Sequence, residues 1–191
     1  ANPACDGGGN VDGMCMDGGR LRAIVPPAPG ELVINEWMAN PDVVTDANGE
    51  WFEVYVDADV DLNGLELSRI SGGNFQLETT LTSADCLSFT AGSHVLFARE
   101  SDTMVNGGLP AVDFVVSFGL NNSDSGLAVG LGGEHHDEVT WTSSTTAAAT
   151  KLDPGAQSVA GNDDPANLCD ATTPYGTGDN AGTPGDPNSG C

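Results

Sequence analysis

Between residues 31 and 142 apolar and polar side chains alternate in short runs, and the runs end at glycine, asparagine, aspartate or serine. A period of two marks a strand with one buried face, because successive side chains point to opposite sides of a pleated sheet. ELVINEWM (31–38) opens the series. EWFEVYV (50–56) is the clearest case: Trp51, Glu53 and Tyr55 fall on one face, and Phe52, Val54 and Val56 on the other. LELSRI (65–70) and FQLETTL (75–81) flank SGGN, a hairpin turn whose glycines tolerate positive φ. HVLFARE (94–100), VDFVVSFG (112–119), GLAVGLG (126–132) and DEVTWTS (137–143) complete eight predicted strands, with EHHDE read as a loop entering the last. No long 3.6-residue periodicity is present, and AAAT (147–150) is too short to nucleate a helix. Eight short strands between turn residues predict an all-β sandwich of antiparallel strands rather than an alternating α/β fold.

The flanks differ in composition. Residues 1–30 are rich in Gly and Asp and close on VPPAPG, which predicts an extended linker, a spacer partly stapled by its cysteines. Residues 31–191 are read as the domain, with a turn-rich tail from 144 to 191. In that tail KLDPG is a candidate last edge strand, and Leu168, Cys169 and Tyr175 favour wrapping over disorder.

Charge narrows the function. The 191 residues carry 28 Asp+Glu against 5 Lys+Arg, a formal net charge of −23. Nucleic-acid affinity comes mainly from Lys and Arg neutralising phosphates, so that class is excluded. Anionic membrane surfaces and acidic substrates are disfavoured by the same Coulomb argument, and cations or basic partners are favoured. No apolar run is long enough for a membrane-spanning helix.

The five cysteines are Cys5, Cys15, Cys86, Cys169 and Cys191. None forms a C-x-x-C pair, which argues against zinc-ribbon and thioredoxin-type readings. They cluster toward the poorly packed ends, where a covalent tie is most needed, and so read as disulfides formed in an oxidising compartment. A local Cys5–Cys15 bridge is expected. A second, among Cys86, Cys169 and Cys191, would pin the tail to the sandwich, with one thiol left over. The chain starts ANPACDGGG, without the charged and apolar start of a secretory leader, so secretion is inferred from cysteine usage alone.

Several stretches together carry a family signature: GELVINEWMANP, DANGEWFEVYV, DLNGLELS, FTAGSHVLFARE and VTWT, closed by DATTPYGTGDNAGTPGDPN. Over about residues 30–188 the chain resembles the lamin tail domain, in its bacterial secreted or surface version. The resemblance implies an immunoglobulin-like β-sandwich. It also implies an accessory module of a surface or secreted protein, sometimes found attached to nucleases or phosphatases.

Candidate chemistry centres on carboxylates. Asp46, Asn48 and Glu50 stand at alternate positions in TDANGEW, and Glu36 and Glu53 lie on neighbouring predicted strands. Oxygen ligands at alternate positions beside a glycine are how short loops collect calcium, so these five form the candidate metal set. The competing reading is an acidic turn, with Glu36, Glu50 and Glu53 bonded to loop amides. Asp57, Asp59, Asp61 and Asn63 in VDADVDLNG form a second acidic ladder, read as an exposed loop with Asp61 starting the DLNG turn. His94, His135 and His136 lack the H-E-x-x-H spacing of zinc hydrolases, and G-x-S-x-G is absent. Trp37, Trp51 and Trp141 are expected in the core rather than as an exposed sugar platform.

The expected function is therefore a non-catalytic module serving display, adhesion or protein–protein contact, its partner a protein or a cell-surface polymer. A calcium-dependent carbohydrate-binding domain is the alternative. A hydrolase built on Glu36, Glu50 and Glu53 comes third.

Overall fold

The computed structural model of the chain describes residues 13–191. The strands, in chain order, are β1 (Met14–Asp17), β2 (Arg20–Ala23), β3 (Leu32–Met38), β4 (Trp51–Val56), β5 (Val60–Asp61), β6 (Glu66–Ser71) and β7 (Asn74–Thr80). They continue as β8 (Ser88–Phe89), β9 (His94–Ala98), β10 (Phe114–Val115), β11 (Ser125–Leu131), β12 (Glu134–Trp141), β13 (Thr150–Leu152) and β14 (Leu168–Asp170). Helix is confined to single turns, among them α1 (Asp46–Gly49) and α2 (Val159–Asn162).

Two sheets make the body. One runs β10-β9-β4-β3-β13-β14 and the other β12-β11-β6-β7. All pairings are antiparallel except that of β10 with β9. The sheets share one apolar core, with Ile34, Phe52, Val54 and Phe97 from the first against Leu67, Leu127, Val129 and Val139 from the second. Trp37 stacks on Trp141 across the layers with ring centroids 5.5 Å apart. All three tryptophans are buried, as the strand pattern predicts. The architecture is all-β, and the faces of β4 alternate as expected: Phe52, Val54 and Val56 enter this core.

The turns explain where the pattern misleads. Gly132 and Gly133, at φ +61° and +84°, make a two-residue hairpin between β11 and β12. That turn lets pairing begin at Glu134, so EHHDE belongs to the strand and is not a loop. VDFVVSFG supplies only the two residues of β10 to a ladder. Ahead of β10, Asp113 exchanges two bonds with Leu96: its amide donates to the Leu96 carbonyl, and its carboxylate accepts from the Leu96 amide.

The segment expected as a spacer is, from residue 14 to residue 23, a hairpin turning at Gly18 and Gly19. It docks on the body through the Cys15–Cys86 disulfide and through bonds from Met16 N to Ala84 O and from Cys86 N to Met16 O. The expected Cys5–Cys15 bridge is thereby corrected, because the Cys15 sulfur is already committed to Cys86. Cys5 itself lies outside the described residues.

The chain from 144 onward wraps the sandwich. KLDPG contributes to β13, which is an interior strand between β3 and β14 rather than an edge. Residues 171–191 then cross the outer face of the six-stranded sheet, where Met38, Trp51, Leu96, Ala98 and Ala149 pack with Ala171, Tyr175 and Ala181. Every residue of β3 is consequently buried. The Cys169–Cys191 disulfide closes the wrap onto β14.

Candidate functional site: a buried polar row beneath the C-terminal segment

Strand register, more than sequence proximity, gathers the ionisable groups. Lys151 pairs with Glu36 across β13 and β3, and Glu36 pairs with Glu53 across β3 and β4. A bulge between Ile34 and Glu36 shifts the β3–β4 register at this point. The three side chains share the outer face, and all three are buried, at 2%, 0% and 0% exposure. Charged groups withdrawn from water must find partners or change protonation state.

The C-terminal segment supplies most of those partners. The Thr183 amide donates to both oxygens of Glu36 at 3.0 and 3.1 Å, and the Thr183 hydroxyl lies 2.8 Å from Oε2. Glu53 accepts from the Gly185 amide, from Asn35 Nδ2 at 2.9 Å and from His94 Nδ1 at 2.7 Å. Lys151 Nζ donates to the Ser189 and Gly190 carbonyls and the Ser189 hydroxyl. Asn188 Nδ2 donates to the carbonyls of Asn35 and Leu152, both at 2.9 Å. Burial pushes the Glu36 carboxyl up to about 8, against the Thr183 bonds and with the help of the nearby Glu53 charge. The close approach needs glycine at 182, since a Cβ there would stand 2.9 Å from the Trp51 ring.

Three other buried acids act as separate fasteners. Glu50 accepts from Arg99 Nη1 at 3.0 Å, and burial raises its carboxyl to about 7 despite the guanidinium. Asp137 accepts from the Ile34 amide at 2.6 Å and from Asn162 Nδ2 at 2.8 Å, and burial lifts it to about 7 as well. Asp61, expected in an exposed loop, is 1% exposed. It takes a two-pronged bond from Arg22, and further bonds from Ser88 Oγ and the Val25 amide. The Arg22 bond, outweighing desolvation, holds the Asp61 carboxyl far below the usual range.

The five candidate metal ligands do not converge as one set, although Glu36 and Glu53 are cross-strand neighbours. Residues 46–49 form the turn α1, and on a helix positions two apart face away from each other. Asp46 is exposed, Asn48 is half-buried, Glu50 is bound to Arg99, and Glu36 and Glu53 are bonded beneath the C-terminal segment. Among the described residues, the one group of three His, Cys, Asp or Glu with ligand atoms within 4.8 Å is Cys15, Asp61 and Cys86, and both of its sulfurs are in the disulfide. The reading in which Glu36 and Glu53 bond loop amides matches the observed contacts.

Sequence reasoning missed Lys151, His94, Thr183, Asn188 and Asp137 as members of these networks. One signal was available: Lys151 is the only lysine in a chain of net charge −23, and it stands in a strand-forming segment. No protein-family model matches the chain, and no curated protein matches its sequence.

Proposed function

We propose that the chain is a non-catalytic interaction module of a secreted or cell-surface protein, an immunoglobulin-like sandwich of the lamin-tail type working in display, adhesion or protein–protein contact. The observation that carries this reading is the use made of the buried charged groups. Glu36, Glu53, Lys151, Glu50 and Asp61 are each bonded to another part of the chain, as fasteners are, and the Glu36–Glu53–Lys151 row lies under the C-terminal segment. Two disulfides reinforce the same scaffold and suit an oxidising compartment. An acidic exterior keeps such a module soluble and repels polyanions.

Fractionation of cells making the protein tests the location, with thiols trapped at lysis. The outcome expected is protein outside the cytoplasm with both disulfides formed. Cytoplasmic protein with Cys15, Cys86, Cys169 and Cys191 reduced would refute it. A screen of the purified chain on ester, phosphodiester, peptide and glycosidic substrates tests the absence of catalysis. Turnover abolished by Glu36→Gln or Glu53→Gln would overturn that part.

A further inference from the structure

We propose that a neutral Glu36 carboxylic acid donates to the Thr183 hydroxyl, which donates in turn to Asn188, and that this relay is a pH-sensitive latch holding the C-terminal segment on the six-stranded sheet. The inference goes beyond the interaction-module reading and does not depend on it.

Donors and acceptors around Thr183 fail to balance if Glu36 is ionised. The Thr183 hydroxyl oxygen stands 2.8 Å from Glu36 Oε2 on one side and 2.8 Å from Asn188 Oδ1 on the other. The orientation of the Asn188 amide is fixed at its other end. There Nδ2 reaches the carbonyls of Asn35 and Leu152, which can only accept. Oδ1 therefore faces Thr183 as an acceptor. A hydroxyl has one proton to give. Given to a Glu36 carboxylate, it leaves two oxygens in contact between Thr183 and Asn188 with no proton between them. With a proton on Glu36 Oε2, Glu36 donates to Thr183 and Thr183 donates to Asn188. Glu36 Oε1 still accepts from the Thr183 amide at 3.0 Å. The neutral acid satisfies both ends of the relay, and the carboxylate satisfies one.

The groups packed around Glu36 suit the neutral form. Glu53 on β4 is its cross-strand neighbour and already accepts from the Gly185 amide, from Asn35 Nδ2 and from His94 Nδ1 on β9. A second carboxylate charge beside it would be repelled. Lys151 on β13 pulls the other way, but its ammonium is turned to Ser189 and Gly190. Tyr175 in the C-terminal segment adds no charge, because burial pushes its phenol up to about 12. Gly182 approaches so closely that a Cβ there would lie 3.3 Å from Glu36 Oε1, and the side chain is cut off from water.

The latch works by linkage. When the segment lifts, Glu36 meets water and returns to the ordinary carboxylate range, so opening releases a proton. Opening becomes easier as pH rises from that range toward about 8, where the closed form ionises too. The segment lifts as a loop, since the Cys169–Cys191 disulfide holds its far end. Beneath it lie Met38, Trp51, Leu96 and Ala98, so the latch governs access to the outer apolar face of the sheet.

Carbon-13 in the glutamate carboxyls reports the proton directly. The resonance missing from Glu36→Gln is that of Glu36, and the one missing from Glu50→Gln is that of Glu50. At about pH 6 the Glu36 resonance should be that of a neutral acid, and it should titrate only above about pH 7. Glutamine supplies an N–H donor where the neutral acid has its O–H. Glu36→Gln should therefore fold and melt no lower than the wild type at about pH 8. Hydrogen exchange of residues 183–190, corrected with a peptide of the same sequence, reads the opening. In the wild type, opening should rise at least about tenfold from about pH 6 to about pH 8, and in Glu36→Gln by much less. Three results would overturn the proposal: a Glu36 resonance that titrates in the ordinary carboxylate range, a Glu36→Gln chain that fails to fold, or an equal rise in opening in both proteins.

Discussion

Replacing Cys191 by Ser should loosen the C-terminal wrap in a way that one side chain reports. The Cys169–Cys191 bridge closes a loop with a sequence separation of 22. Loop-closure entropy for that length gives about 3 kcal/mol of stabilisation by restricting the unfolded chain. For a domain of this size, the loss corresponds to a fall in melting temperature of roughly 6–12 °C. Lys151 gives the structural readout. It is the only lysine, it is 2% exposed, and its ammonium is held by Ser189 and Gly190, immediately before Cys191. Acylation by an N-hydroxysuccinimide ester, followed by peptide mass spectrometry, should label Lys151 slowly in the intact protein and quickly in the urea-unfolded chain. In Cys191→Ser, the Lys151 rate should rise markedly, while Asn188 still anchors the chain to Asn35 and Leu152. Two results would refute the reasoning: a melting temperature unchanged by the substitution, or Lys151 labelled as fast in the intact protein as in the unfolded chain.

The remaining predictions concern the other buried fasteners. Glu36, Glu50 and Asp137 have carboxyls raised to about 8, 7 and 7, so the folded state holds protons that the unfolded chain releases. Stability is then greatest near the ordinary carboxylate range and falls as pH rises toward about 8, flattening above it; thermal melts at about pH 5 and pH 8.5 should show the lower value at the higher pH. Asp61, held low, works the other way, and its contribution is lost as pH falls below the usual carboxylate range. Arg22→Met should lower the melting temperature by stranding the buried Asp61 carboxylate, and adding Asp61→Leu should recover part of the loss; a double variant less stable than the single one would contradict this. Because Glu36, Glu50 and Glu53 are already bonded within the chain, treatment with EDTA should leave the melting temperature unchanged. A clear fall restored by calcium would return those residues to the metal reading.

The alternation of apolar and polar residues located the longer central strands and the two faces of β4, but VDFVVSFG kept only the two residues of β10 in a ladder, EHHDE joined β12, and β1, β2, β5, β8 and β14 gave no such signal. Trp51–Val56 sends its side chains to two faces as the pleated backbone requires, whereas a bulge between Leu67 and Ser68 interrupts the pairing of β6 with β7. Gly-Gly pairs also announced their hairpin at 72–73, because positive φ is cheap only for glycine. The acidic residues were a different matter. Glu36 and Glu53 look like ligands or surface charges when read along the chain, and their partners Thr183 and Gly185 lie more than a hundred residues away. Asp61 looked like a turn residue because Arg22, in a segment of spacer-like composition, gave no sign of folding back onto it.

What the linear order of residues determined here is therefore the longer central strands, the predominance of β-structure, the burial of the tryptophans and the acidic exterior. Each depends on a residue's own preference for water or on its immediate neighbours. Only the folded chain decided which sulfurs join, that β13 lies inside the sheet, and that Lys151, Glu36 and Glu53 form one row. The physical reason is that pairing of buried polar groups is settled by distance in space. That distance is fixed only when sheet register and the path of the C-terminal segment have been set together.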